Sequence, residues 1–264
     1  MTRQSEYRTP AEIKAQSSAA MAGRFSGAVM MTLSYYIWIY LISYAGSIIS
    51  SVIGKLPFFS SVSVNMGADL VFTAISTLVI SALNIVGGMF MCGVYLYYLN
   101  ISTGRDAQPG DIMEGFRENP SRTFRITAFL MMPVIIVSFP LNLFTELYRL
   151  TGNSIHLYIT IFCLLLSLGL MLYMHLSFGA AYFMMLDFPS YSASKILDVT
   201  YKKMKSHRLR LFILELRFVP MLILSFLSMG IGLLWVYPLI CESRTLFFLN
   251  LMNPEHHIPI DERV

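Results

Sequence analysis

A chain of 264 residues would ordinarily hold one or two soluble domains, but 56% of these residues are hydrophobic and only 13% are charged. Soluble domains carry about 25% charged residues, so a water-soluble globule is excluded. The net charge of +4 does not mark a nucleic-acid binder, because the basic residues flank apolar segments instead of forming one basic face.

Phe25–Gly54 and residues 70–104, 126–145 and 150–186 contain no Asp, Glu, Lys or Arg. A membrane-spanning helix needs about 20 such residues, and backbone groups in lipid must bond within their own segment, which makes these runs helices. The alternating pattern of an outer-membrane barrel is absent. The expected fold is all-α, a polytopic membrane helical bundle. Cys92, Cys163 and Cys241 lie in or beside apolar runs with no CxxC spacing, and read as packing residues rather than disulfide or metal ligands. Ser43-Tyr44-Ala45-Gly46 has the small residues of a cleavage site, but the preceding apolar stretch is too long for a signal peptide, which predicts a retained first span.

In chain order, residues 1–25 form a cytoplasmic amphipathic leader. In it, Thr9-Pro10-Ala11-Glu12 fits a capping box with proline at the first helical position. Span one is expected over about 26–53. Span two, about 70–99, carries Asn84, Gly87, Gly88 and Gly93, which let another helix approach. The following loop places Ile112, Met113 and Phe116 on one face, an interfacial amphipathic turn. Span three, 126–146, contains Pro133 and Pro140, so a kink is expected. Span four, 156–186, holds His175. A second leader-like segment then sets Ile196, Leu197, Thr200 and Met204 against Lys195, Asp198, Lys202, Lys203 and Lys205.

The remainder admits two readings. Residues 218–241 are a charge-free run long enough for one helix, giving five spans. Alternatively Gly230-Ile231-Gly232 is a tight turn between span five (209–229) and span six (232–251). The turn is favoured because it returns the C-terminus to the side of Arg244 and Arg263. It also completes a weak threefold pattern, a short amphipathic helix followed by two spans, starting near Pro10, Pro109 and Ser192. Each leader ends in basic residues: Arg24; Arg122 and Arg125; Lys205, Arg208 and Arg210. The membrane domain is therefore 26–251, and 252–264 a cytoplasmic tail. Sixteen Lys and Arg then fall on one side, against Lys55 and Arg149 on the other. By the positive-inside rule both termini are cytoplasmic.

Ionisable residues inside spans are candidate functional sites. Glu215 and Arg217 are two apart, so they face different sides of a helix. A turn centred on residue 231 brings them level with Glu242 and Arg244, which predicts crossed pairs, Arg217 with Glu242 and Glu215 with Arg244. Structural pairing explains these four at least as well as function does. His175 is a proton-relay or ligand candidate, weighed against a neutral histidine bonded to a neighbouring helix, because no carboxylate shares its span. Asn84 is expected to make an interhelical hydrogen bond. Glu255-His256-His257 reads as a solvated tail in preference to a metal site. Lys195, Lys202, Lys203, Lys205, Arg208 and Arg210 are expected to meet anionic headgroups on the cytoplasmic side. No HExxH, GxSxG, GxxxxGK[ST] or clustered Asp/Glu motif is present, and no cofactor is expected.

Asp187, Ser192-Ala193, Met204-Lys205-Ser206-His207, Arg210-Leu211-Phe212 and Gly230-Ile-Gly232-Leu-Leu-Trp235-Val-Tyr-Pro238 together resemble a family of uncharacterised bacterial integral membrane proteins, domain of unknown function 975. The sequence departs from the family where Ser206 replaces a usual glycine, where Glu215, Arg217 and Pro220 interrupt an aromatic-rich segment, and where Leu239 follows Pro238. The resemblance implies a six-span, multi-pass protein of a bacterial plasma membrane and supplies no activity. The function expected is a non-enzymatic membrane protein that binds lipid or a partner protein (another membrane protein or a second copy), or that supports another membrane system. The alternative is a small transporter using proline-broken helices; an enzyme acting on lipid comes third.

Overall fold

The structure is a computed structural model that describes residues 7–56 and 66–253. Among these the chain is helical, with α1 Pro10–Ala20, α2 Phe25–Gly54, α3 Met66–Thr103, a 3-10 turn Pro109–Met113 leading into α4 Glu114–Arg117, α5 Pro120–Thr151, α6 Ser154–Phe178, α7 Ala181–Asp187, α8 Ala193–Met204, α9 Arg208–Leu216, α10 Val219–Leu227 and α11 Leu233–Met252. Four segments are long and apolar enough to cross a membrane: α2, α3, α5, and α6 with α7. The expected fifth and sixth spans do not join them on that measure. α9, α10 and α11 carry Glu215, Glu242 and Arg244, and a two-residue interruption at Arg217-Phe218 separates α9 from α10.

The expected turn is present. Gly230 has φ +86° and Met229 φ +54°, a left-handed step that suits glycine and costs other residues about 1 kcal/mol. Ser225 carbonyl accepts from Gly230 N at 2.9 Å, and Ser228 Oγ from Gly232 N at 3.0 Å. A Cβ on Gly232 would lie 2.8 Å from Ser225 Cα, so the second glycine permits the close crossing. α10 and α11 are therefore two arms of a hairpin, not one helix.

The helices close a ring in chain order: α2 packs on α3, α3 on α5, α5 on α6, α6 on α9, α10 on α11, and α11 back on α2. Three leaders decorate one end of it. Each starts at a cap of the same kind. Thr9 and Glu12 form the reciprocal capping box, at 2.8 and 3.3 Å. Asp111 Oδ2 accepts from Gln108 N at 3.2 Å, and Ser192 Oγ from Lys195 N at 3.3 Å. Each leader packs on the pair of helices that precedes it. The 109–117 leader lies on α3, α8 on α6 and α5, and α1 on α11 and α9, so that the first leader closes onto the last pair. The apolar faces expected at an interface are thus taken by protein: Ile13 is fully buried on α1, Ile112 beneath the second leader, and Ile196, Thr200 and Met204 on α8, with Leu197 half-buried.

An arginine at the start of each pair's first span ties this end together. Arg24 Nη1 donates to Ile101 carbonyl at 2.9 Å. Arg122 donates to the carbonyls of Pro189, Tyr191 and Met185. Arg210 donates to Arg8 carbonyl at 3.1 Å and to the Asn250 side chain. Apart from the Arg8 carbonyl of the N-terminal segment, the acceptors lie at the end of the same pair's second helix or just after it. Carbonyls at helix C-termini run short of partners within the helix, and cations are favoured there. The second helices meet at the centre, with Tyr95 and Phe183 rings 4.5 Å apart and Phe183 and Phe248 5.0 Å apart.

Candidate functional site

The charged residues of the C-terminal hairpin converge with α6 beside this core. The turn at 228–232 sets Glu215 of α9 against Arg244 of α11, and Arg244 Nε donates to Glu215 Oε1 at 2.9 Å. This is one of the two expected pairs. The third member comes from α6: His175 Nε2 lies 2.6 Å from the same carboxylate oxygen and 3.3 Å from Arg244 Nη2. At 2.6 Å from a carboxylate, Nε2 must carry the proton and donate it. Arg244 then makes no bond to that nitrogen and serves Glu215 and its surroundings, including the buried Tyr95 hydroxyl beside it. The His175, Glu215 and Arg244 side chains are 31%, 22% and 21% exposed, so the cluster is sheltered without being sealed. The adjoining cavity, walled by Phe183, Met204, Leu211, Phe247 and Phe248, has a volume of about 10 Å³, the room for one water.

The other expected pair is not formed. Glu215 and Arg217 point to opposite faces of α9, so only one of them can meet α11. Arg217 is exposed, and its backbone carbonyl accepts from Lys14 Nζ at 2.7 Å. Glu242 is fully buried on the face of α11 away from Arg244, and its Oε1 accepts from Ser102 Oγ of α3 at 2.7 Å. Asn84 also departs from expectation: it is exposed on α3 and makes no hydrogen bond among the described residues. Interhelical bonds of that helix include Asn142 to Thr77, 3.2 Å, and Tyr182 to Gly88 carbonyl, 3.1 Å, besides Ser102 to Glu242.

Of the basic residues expected to face headgroups, Lys195, Lys202, Lys203 and Lys205 are exposed on α8 and just beyond it. Lys195 Nζ sits 3.8 Å over the Tyr191 ring, and Lys202 pairs with Asp198 at 2.6 Å. Arg208 is stacked on Tyr173 and Tyr201. Arg210 is turned inward to Asn250, because the clamp described above needs it there. Glu255, His256 and His257 lie outside the described residues. Among the described residues, no three His, Cys, Asp or Glu side chains gather as they would around a metal.

Sequence reasoning missed His175 as the partner of Glu215, Ser102 as that of Glu242, and the clamp arginines as a set. The clamps had a signal: each leader ends in arginine, and Leu99-Asn100-Ile101, Leu186-Asp187-Phe188 and Leu249-Asn250-Leu251 repeat a polar residue at the end of each second helix.

Residues 122–255 match the family model described as a protein of unknown function, DUF975, and the chain belongs to that family. The match takes in the second and third pairs with the α8 leader, and thus the His175–Glu215–Arg244 cluster. No curated protein and no solved structure matches the chain.

Proposed function

We propose that this chain is a six-span protein of a bacterial plasma membrane, with both termini cytoplasmic, that binds membrane lipid or a partner membrane protein and catalyses no reaction. Closure of the ring supports six spans. α9 with α10 covers 208–227 and α11 covers 233–252, each about 20 residues or 30 Å of helix. Without them the ring would stay open between α6 and α2. The charges that lower their hydropathy are handled in pairs or face the basic end, as ionisable residues in spans usually are.

The observation that carries binding over transport is the filling of the centre. Tyr95, Phe183 and Phe248 pack ring against ring where the second helices meet, and the space beside His175 and Arg244 takes one water. A substrate path would need polar space there. The transporter reading draws on the interruption at Arg217-Phe218 and on Pro238 within α11.

Mass spectrometry of the full chain purified from native membranes distinguishes the two. Stoichiometric co-purification of a lipid or a membrane protein is the expected result. A bare chain that carries solute flux in proteoliposomes would overturn the reading. For topology, alkaline phosphatase fused after Val264 should be inactive; activity there would remove the sixth span.

A further inference from the structure

The clamp of the first pair is incomplete, and the gap has the makings of a ligand site. Arg122 is engaged by three carbonyls at the far end of its pair and Arg210 by Asn250 and the Arg8 carbonyl, whereas Arg24 makes one described bond, to Ile101 carbonyl. After α3 the chain turns at Gly104 (φ +72°) and leaves an open cavity of about 290 Å³ between the ends of α2 and α3, lined by Arg24, Gly27, Tyr97, Ile101, Arg105 and Asp106. A water occupies about 30 Å³ in the liquid, so the space is several times larger than one solvent molecule.

Three groups at this cavity lack protein partners of the right kind. Tyr97 is only 3% exposed, and its hydroxyl is aimed at Gly27, where an added Cβ would sit 2.6 Å from it. Among the described residues that hydroxyl makes no hydrogen bond, and since Tyr97 lines the cavity it can donate to a ligand there. The Arg105 guanidinium is exposed at the rim and has no side-chain bond among the described residues. α2 begins here with no side-chain cap, which leaves the amides of its first turn for an acceptor. Asp106 is the one carboxylate in the lining, and it already accepts from Gln108 Nε2 at 2.8 Å. Two guanidinium groups against one carboxylate give the lining a net positive charge; the Asp111 and Glu242 carboxylates near Tyr97 are not part of it.

We propose that this cavity binds a phosphate ester, with Arg24 and Arg105 on its oxygens and the Tyr97 hydroxyl donating to one of them, and that the ester belongs to a phospholipid headgroup. Arginine suits phosphate because its planar fork donates two bonds at once. The choice of a lipid over a soluble ester rests on the membrane reading above: Arg24 immediately precedes the first span and Arg105 immediately follows the second, which puts the cavity at headgroup level.

The test uses the full chain in maltoside micelles, which carry no phosphate, with native mass spectrometry during titration with phosphatidylglycerol. One lipid should be retained on the wild type. Arg24→Gln with Arg105→Gln should weaken that binding about tenfold or more, as loss of two charge-assisted bonds implies. Arg105→Gln alone, at an exposed site that cannot unfold the chain, should weaken it several-fold, and Tyr97→Phe likewise. Lys195→Gln with Lys202→Gln should leave it unchanged. Equal retention by the wild type and the double variant would overturn the site, as would an equal loss with the lysine pair, which would mean diffuse attraction only. Competition by glycerol phosphate or inorganic phosphate at the lipid's own affinity would keep the oxyanion site but overturn its lipid source. None of these readouts depends on the number of spans, so the reporter fusion and this titration fail independently.

Discussion

The two ends of the bundle are built on different principles. At the basic end, Tyr98, Phe183, Phe248, Ile126, Ile196 and Met204 are all below 2% exposed, and Arg24, Arg122 and Arg210 bond to groups distant in sequence. At the other end Tyr40, Tyr158, Phe162, Leu165, Phe226 and Leu227 are each more than 60% exposed. There Arg149 pairs with Glu146 one turn away and, at 3.9 Å, with Asp69 of α3, both at the surface. Water on one side supplies the drive that buries leaders and aromatic rings. An apolar solvent removes that drive, so helices surrounded by it expose large side chains and pack mainly by shape. On the membrane reading proposed above, the same chain is a compact globule at one end and a set of hairpins with exposed apolar side chains at the other.

The largest effect should come from stranding a charge at the packed end. Glu215→Gln leaves Arg244 without its carboxylate, and breaking a sheltered pair from one side costs about 3 kcal/mol, somewhat less here because both groups retain some exposure. Denaturant titration in micelles should show this loss, and Glu215→Gln with Arg244→Gln together should recover part of it. At the opposite end Arg149→Gln should leave the midpoint unchanged. Glu242→Gln and Arg217→Gln should simply add, since those residues do not meet; measurable coupling between them would contradict the geometry.

That cluster also marks how far a single sequence reaches. The apolar runs, the turn at Gly230 and the Glu215–Arg244 pair were all legible, because hydropathy and depth along a helix are one-dimensional. The error over Arg217 arose from the missing coordinate, rotation about the helix axis. Residues two apart are level in depth but face opposite ways, so one crossed pair excluded the other. His175 could not be matched to Glu215 because it sits on a different hairpin, 40 residues away, and nothing in the sequence sets the relative height of the two. Asn84 was misread for a related reason: Gly87 and Gly88, the positions where helices do approach, are close to it in sequence but face elsewhere.

A glycine pair sharpens the comparison at intermediate size. A Cβ on Gly93 would run into the backbone of Asp111 and Ile112, so the second leader must lift for it to fit. Gly93→Ala should cost about 2 kcal/mol. The same change at Gly169 meets nothing within 4 Å and should be neutral or stabilising by about 0.5 kcal/mol or less. Thermal midpoints of the two variants measure the difference. Equal midpoints would mean that the leader is not docked on α3.

The smallest effect concerns His207, at the edge between leader and span. Its ring meets the Tyr7 ring edge-on at 4.6 Å. Burial first, then the nearby Arg210 and Lys203 charges, hold its pKa below the usual histidine value. The neutral form is therefore the one the fold favours. Above a pH of about 6.5 the ring is neutral whether the chain is folded or not, and its contribution is fully present. As the pH falls below that value the unfolded chain takes up the proton first, so stability is lost until the folded ring also titrates. Other groups contribute their own acid dependence, so the informative quantity is the difference between wild type and His207→Asn. The wild type should lose more of its thermal midpoint than the variant between pH 7.5 and pH 5. The gap should be modest, because the ring is only partly sheltered and its neighbours' charges are screened by solvent. Parallel pH profiles for the two proteins would show that His207 is exposed to water and that the leader's edge at Tyr7 is not closed over it.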